Sequence, residues 1–198
     1  MSQKESEVNS KAGAIRYVSR AANKLDSVSK SLGLDFSGKT VLDVGSSTGG
    51  FSDYALKHGA LRVIAVEKGT NQMDPVLRTN PNLELHEKTD IRSFSTTTRV
   101  DIILIDVSFV SLQEILPAVS TLANKDSVIV AMAKPQFETR SPALKHLGVI
   151  KNERIRRALL SELEKWLKPN FVVQAKADSL ITGSKGNRER FYRLKLSN

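Results

Sequence analysis

Beyond Gly38 the chain alternates strictly between short apolar runs and helical segments, and no other feature constrains its fold as tightly. Apolar runs lie near 40–45, 62–67, 83–87, 101–106 and 127–134, with helical segments following at about 51–58, 72–79 and 111–123. Parallel strands need crossover connections, and the helices that supply them cover both faces of a sheet, so five such units predict a doubly wound parallel sheet. Upstream, Ser19 caps a helix whose Leu25, Val28 and Leu32 share one face and which Gly33 closes. Downstream, a helix over 153–168 is expected to place Ile155, Leu159, Leu160, Leu163 and Leu167 on one stripe. Two further strands, 171–179 and 190–196, meet through the turn-rich Thr182-Gly183-Ser184-Lys185-Gly186-Asn187, which predicts a hairpin and an antiparallel last strand. The expected fold is α/β: a seven-stranded, mostly parallel, Rossmann-like sheet with helices on both faces and an antiparallel terminal hairpin. Residues 1–14 are polar and without periodicity and read as a flexible arm, leaving 15–198 as one domain.

The first of these units carries the strongest chemical signal. Val41-Leu42-Asp43-Val44-Gly45-Ser46-Ser47-Thr48-Gly49-Gly50-Phe51 runs an apolar strand into a small-residue turn that opens a helix. Glycines let the backbone approach a ligand, and the helix N-terminus presents unpaired N–H groups. Glu67 ends the next apolar run about 20 residues on, where an acid can accept from ribose hydroxyls. The pyrophosphate fingerprint G-x-G-x-x-G is absent, because Gly45 is followed by Ser46 and the glycine pair comes late. Asp43 before the turn favours a cationic ligand such as the sulfonium of S-adenosylmethionine (AdoMet). Another nucleotide, or a strand-to-helix turn without a ligand, stay open as readings.

Ligands of open α/β sheets bind outside the carboxyl ends of the strands. The charged residues there are Asp43, Glu67, Asp90, Asp106 and Lys134. A stretch of about 15 residues from 137 to 152, carrying Arg140, Pro142, Lys145, His146 and Gly148, is long for a compact fold and reads as a disordered excursion or a substrate-contacting lid. Thirty Lys and Arg against 21 Asp and Glu leave a formal charge of +9, the balance of a protein that meets a polyanion, with nucleic acid the default. The cations cluster at Lys11, Arg16, Arg20 and Lys24, at Lys151, Arg154, Arg156 and Arg157, and at Lys185, Arg188, Arg190, Arg193 and Lys195. Without cysteine there is no disulfide, thiolate metal site or cysteine nucleophile, and His58, His86 and His146 lie on unrelated segments, so no metal is expected. No apolar run approaches the ~20 residues of a membrane span, and the N-terminus lacks a signal-peptide core, so a cytoplasmic protein is expected.

Seven strands with a terminal hairpin is the architecture of the class I AdoMet methyltransferases. Five segments add a sharper likeness: Tyr17-Val18-Ser19-Arg20-Ala21-Ala22-Asn23-Lys24-Leu25, Asp43 to Phe51, Ile105-Asp106-Val107-Ser108-Phe109, Lys134-Pro135-Gln136-Phe137-Glu138 and Gly186-Asn187-Arg188-Glu189. Together, in order over about residues 15–196, they resemble the TlyA (hemolysin A) branch of the FtsJ-like ribose methyltransferases. The resemblance implies AdoMet as cofactor, held by Asp43, Gly45, Ser47, Thr48, Gly49, Gly50, Phe51, Glu67, Asp90, Ile91 and Asp106. It also implies a catalytic Lys-Asp-Lys-Glu tetrad at Lys24, Asp106, Lys134 and Glu189, acting on a ribose 2′-hydroxyl of ribosomal RNA, with that RNA or a ribosomal subunit as partner. Such a base must be uncharged when it takes the proton, and burial beside a second cation favours a neutral lysine. In this scheme Asp106 and Glu189 orient the lysines, and Asp106 helps to position the methyl group.

The chain departs from the branch in four places. Ala21-Ala22 replaces a glycine pair and stiffens the approach to Lys24. Asp90 replaces an asparagine, and either suits an adenine N6 contact. Arg190 follows Glu189, where it could pair with that carboxylate. The branch normally begins with an S4-type RNA-binding domain, for which the residues before Tyr17 leave no room, so RNA recognition is expected from the methyltransferase domain, a partner or sequence outside this chain. Two other functions stay open: methylation of a small molecule or of another RNA position, and a noncatalytic AdoMet- or RNA-binding module.

Overall fold

The computed structural model describes residues 15–139, 141, 148–183 and 185–197. The apolar runs form strands β1 (Thr40–Val44), β2 (Arg62–Val66), β3 (Leu83–His86), β4 (Ile102–Ile105), β5 (Val128–Ala133), β6 (Phe171–Asp178) and β7 (Arg190–Leu196). Between them lie helices α1 (Arg20–Ser29), α2 (Gly50–Lys57), α3 (Pro75–Arg78), α4 (Leu112–Leu122), α5 (Pro135–Glu138) and α6 (Glu153–Leu167). One sheet contains all seven strands in the order β3-β2-β1-β4-β5-β7-β6. The first five pair in parallel, and β7 enters antiparallel between β5 and β6. The expected terminal hairpin is therefore present, with its last strand on the inside.

Successive side chains on a strand point to opposite faces, and here both faces are buried. Ile103 and Ile105 of β4, with Ile129 and Ala131 of β5, pack beneath α4 and α6 through Leu116, Val119, Leu160 and Leu163. Ile102, Leu104, Val130 and Met132 pack on the other face against Leu25 and Val28 of α1 and Tyr54 of α2. A bulge between Val173 and Ala175 shifts the β6 register, so Phe171 and Val173 meet the first cluster and Ala175 and Ala177 the second.

Local capping sets the helix starts. The Ser19 hydroxyl accepts from Ala21 N at 3.3 Å to open α1, and Asp74 accepts from Val76 N at 2.9 Å just before Pro75. The second cap explains why the helix expected over 72–79 shrinks to α3. The far end of α1 is tied to β7, where Arg193 Nη1 donates to Leu32 O at 2.7 Å and Gly33 O at 2.9 Å.

Helix α6 departs from its expected stripe. Ile155 is 36% exposed, and Arg156, 2% exposed, takes the inward place ahead of Leu160, Leu163 and Leu167. Its guanidinium donates to Arg188 O at 3.0 Å, Glu153 Oε1 at 3.0 Å and Asp178 Oδ1 at 2.6 Å. The helix start thus lies over the polar mouth of the hairpin, where a paired guanidinium fits and an isoleucine does not. Arg156 is therefore not one of the solvent-facing cations its sequence neighbours suggest. Truncating one partner of a buried ion pair is costly, so Arg156→Ala should lower stability by about 3 kcal/mol, whereas Arg154→Ala on the exposed face should cost less than about 0.5 kcal/mol. Urea unfolding of the two variants reads the difference.

Candidate active site

At the carboxyl end of β1 the chain turns sharply. Gly45 has φ +80°, and a Cβ there would lie 2.7 Å from the Asp106 carbonyl oxygen. A Cβ on Gly50 would collide with Ser19 Oγ, so this glycine lets α1 sit directly on the start of α2. Glu67, just beyond β2, accepts from Ser47 N at 2.9 Å and from Gly69 N at 2.6 Å, which fixes its carboxylate at the rim of the loop while leaving lone pairs free. Gly45, Ser47, Glu67, Asp90, Ile91 and Asp106 line one cleft of about 690 Å³. Thr48, Gly50 and Phe51 line instead a smaller hollow of about 140 Å³, together with Asp43, Asp106 and Lys134. Gly49 lines neither: it caps α2 with φ +90°, and a Cβ there would strike Met73 and Leu77.

Asp43 is fully buried. Ser52 Oγ donates to its Oδ2 at 2.6 Å, and Oδ1 has no hydrogen-bond partner among the described residues. Burial, with the nearby charges of Asp106 and Glu67, pushes its carboxyl up to about 7. Asp90 goes the other way. Arg92 donates to it from Nε at 2.9 Å and Nη2 at 2.6 Å, Lys68 Nζ lies 3.4 Å away, and the Arg92 bonds hold the carboxyl well below the usual range.

The four tetrad candidates form two ion pairs. Lys24 on α1 meets Glu189, which precedes β7, with Nζ 2.6 Å from Oε2. Lys134, just past β5, meets Asp106, just past β4, with Nζ 2.6 Å from Oδ1. Both pairs are largely desolvated, so each charge depends on its partner. Lys24, Lys134 and Glu189 line a second cleft of about 580 Å³, joined by Arg20, Lys185 and Phe109. The pairing of Arg190 with Glu189 that their adjacency invited does not occur: Arg190 Nε lies 2.6 Å from Asp178 Oδ1, because neighbours along the chain here face opposite ways.

Several residues around these clefts escape a sequence reading. Lys134 Nζ also donates to Ser108 Oγ at 2.7 Å. Glu138 accepts from Ser111 Oγ at 2.6 Å and Leu112 N at 3.0 Å, tying α5 to the start of α4; burial raises its carboxyl. The Asn187 carboxamide accepts from Ile150 N and donates to Gly148 O, each at 2.8 Å, and a Cβ on Gly183 would lie 2.9 Å from Glu189 Oε1. Gly-Asn at a hairpin reads as ordinary turn chemistry, so only the fold reveals this brace. The stretch expected as a loop from 137 begins inside α5. Its Arg140, Pro142, Lys145 and His146 lie outside the described residues, as do the arm 1–14 and Lys11. Among the described residues no three acids or imidazoles converge as metal ligands, and no helix is long and apolar enough to cross a membrane.

The profile of the FtsJ-like methyltransferases matches residues 17–196. The 23S rRNA (cytidine-2′-O)-methyltransferase TlyA of Campylobacter jejuni is 38% identical over 178 residues, which is 89% of this chain and 70% of that protein. The 16S/23S rRNA (cytidine-2′-O)-methyltransferase TlyA of Mycobacterium tuberculosis is 33% identical over 179 residues, 88% of this chain and 67% of that protein. Among solved structures, a Streptococcus thermophilus protein provisionally named a hemolysin superposes with a TM-score of 0.87 at 32% identity, covering 95% of this chain and 70% of that one.

The raised Asp43 carboxyl has a consequence for stability. Between pH 4 and 7 the folded chain keeps a proton that the unfolded chain has released, so this residue makes stability fall as the pH rises through that window. Asp43→Asn should flatten the pH dependence of thermal unfolding there and leave the unliganded variant relatively more stable at pH 8. Parallel curves for the two proteins would show that Asp43 ionises as an ordinary aspartate.

Proposed function

The chain belongs to the FtsJ-like methyltransferase family, and from that premise we propose that it transfers a methyl group from AdoMet to a ribose 2′-hydroxyl of ribosomal RNA. The observation that carries this reading is the pair of lysine–carboxylate contacts at the carboxyl edge of the sheet, Lys134 with Asp106 and Lys24 with Glu189. The names of the two TlyA relatives support the substrate class.

The residues of the first cleft and of the small hollow beside it fit AdoMet. A buried carboxylate oxygen of Asp43 without a partner suits a cationic ligand, Glu67 is held where ribose hydroxyls can donate to it, and the glycine turn leaves room for close backbone approach. Asp43, Gly45, Ser47, Glu67, Asp90 and Ile91 would hold the cofactor, which supplies an electrophilic methyl group. Lys134 serves as the base, taking the 2′-hydroxyl proton as that oxygen is methylated, and Asp106 keeps its Nζ in place. Lys24, anchored by Glu189, offers its remaining N–H groups to the acceptor nucleotide.

Phe109 supports a nucleotide in the second cleft. It is 91% exposed, has φ +67°, lines both clefts, and its ring centroid lies 5.2 Å from that of Phe137. A large aromatic held in a costly backbone conformation and open to water offers a face on which a base can stack. The phosphate contacts fall to Arg20 and Lys185 at the same cleft, since Arg156, Arg190 and Arg193 are committed to protein partners.

Incubation with labelled AdoMet and ribosomal subunits, followed by mapping of alkali-resistant ribose, tests the whole reading. The wild type should label one ribose, and RNA left unlabelled would exclude the function. Lys134→Ala should abolish transfer with AdoMet affinity kept within about threefold, and Lys134→Arg should be equally inactive because arginine keeps its proton. Near-normal turnover of the arginine variant would exclude Lys134 as the base. Neutralising Arg20 and Lys185 together should lower the slope of log affinity for RNA against log salt by about two.

A further inference from the structure

We propose that Ser108 is a positioning residue for the base, an inference that rests on the methyl-transfer reading above. Among the described residues it alone lines the cofactor cleft, the substrate cleft and the small hollow. Methyl donor and methyl acceptor must meet where those spaces join. At that point its Oγ accepts a 2.7 Å hydrogen bond from Lys134 Nζ, whose other contact is Asp106 Oδ1 at 2.6 Å.

The physical reason lies in the shape of an amine. A lysine ammonium carries three tetrahedral N–H donors. A single acceptor lets the nitrogen swing around it at the end of a flexible stem. Two acceptors on different backbone positions fix both the nitrogen and the direction of the third N–H. With Ser108 accepting one N–H and the Asp106 carboxylate drawing the nitrogen from 2.6 Å, the remaining direction is the one left for the substrate; the ammonium first releases that proton to water, and the lone pair then lies along it. In the reaction the 2′-oxygen gives its proton to this nitrogen while it bonds to the methyl carbon, and the carbon–sulfur bond breaks with its electrons going to sulfur. The hydroxyl hydrogen of Ser108 meets no acceptor among the described residues and is free to donate to an oxygen of the acceptor ribose.

The loop that carries Ser108 is held at both ends. Asp106 N donates to Val44 O at 3.0 Å, and Glu138 grips Ser111 and Leu112. The serine itself is exposed and lines the clefts, outside the buried clusters. Its hydroxyl therefore sits on a fixed support without being part of the fold's packing, the arrangement expected of a group that orients a neighbour.

The experiment uses the full chain, AdoMet and ribosomal subunits, and compares the wild type with Ser108→Ala and Ser108→Thr. The alanine variant should lose about 10- to 100-fold in kcat, the scale of a misdirected reacting group. Its KM for RNA and its calorimetric affinity for AdoMet should stay within about threefold of the wild type, with an unchanged melting temperature. The threonine variant, which keeps the hydroxyl, should recover most of the lost turnover. A wild-type kcat in Ser108→Ala overturns the role. So does a parallel loss of AdoMet affinity, which would make Ser108 a residue that holds the cofactor, or an equal loss in Ser108→Thr. A wild type that methylates no RNA overturns the methyl-transfer reading and this inference with it, whereas an active wild type matched by Ser108→Ala leaves that reading standing.

Discussion

The registered ends of three central strands hold everything else in place. Val44 of β1 lies beside Ile105 of β4, and Ile105 beside Ala131 of β5, so the residues that follow emerge from one edge of the sheet. Gly45 is pressed against the Asp106 carbonyl there, close enough that a side chain on the glycine would force the strands apart. The close fit of β1 to β4 thus sets where the glycine turn, the Asp106 carboxylate and the Lys134 ammonium stand relative to one another. Helices on both faces bury the strands and keep the register from slipping.

Burial then dictates the electrostatics of that edge. A charge withdrawn from water needs a partner, and the two lysines find theirs across strand and helix boundaries. Asp43 shows the alternative response. Lacking a cation, it keeps one hydroxyl donor and moves its carboxyl up to about 7. A positively charged ligand beside it would restore the balance that the folded chain lacks alone. The same edge therefore carries two paired lysines and one acid without a cation.

Much of this was legible in the order of residues. Strands and helices follow from two periodicities, and the tetrad candidates follow from a motif likeness, after which the fold brings Lys24 to Glu189 and Lys134 to Asp106. What escaped depends on contacts distant along the chain. Glu138 reaches Ser111 and Leu112 across 27 and 26 positions, and Asn187 reaches Ile150 across 37. No local pattern announces such braces. Arg156 was hidden for a different reason: counting apolar residues along a helix assigns the inward place to Ile155, whereas a guanidinium with three partners occupies it. The Arg190 partner was open to a simpler argument, because consecutive residues at a strand face opposite ways and adjacency to Glu189 counts against a contact.

The link between α1 and β7 has a bearing on how the protein is made. Lys24 on α1 is synthesised long before Glu189, the carboxylate that pairs with it. Arg193, which fastens the end of α1 across 161 positions, comes later still. Loop closure over such a span must precede any reward from the contact, so these joints belong to the slow, final part of folding. A nascent chain can therefore present the turn between β1 and α2 before the residues that complete the Lys24 and Arg193 joints have been made.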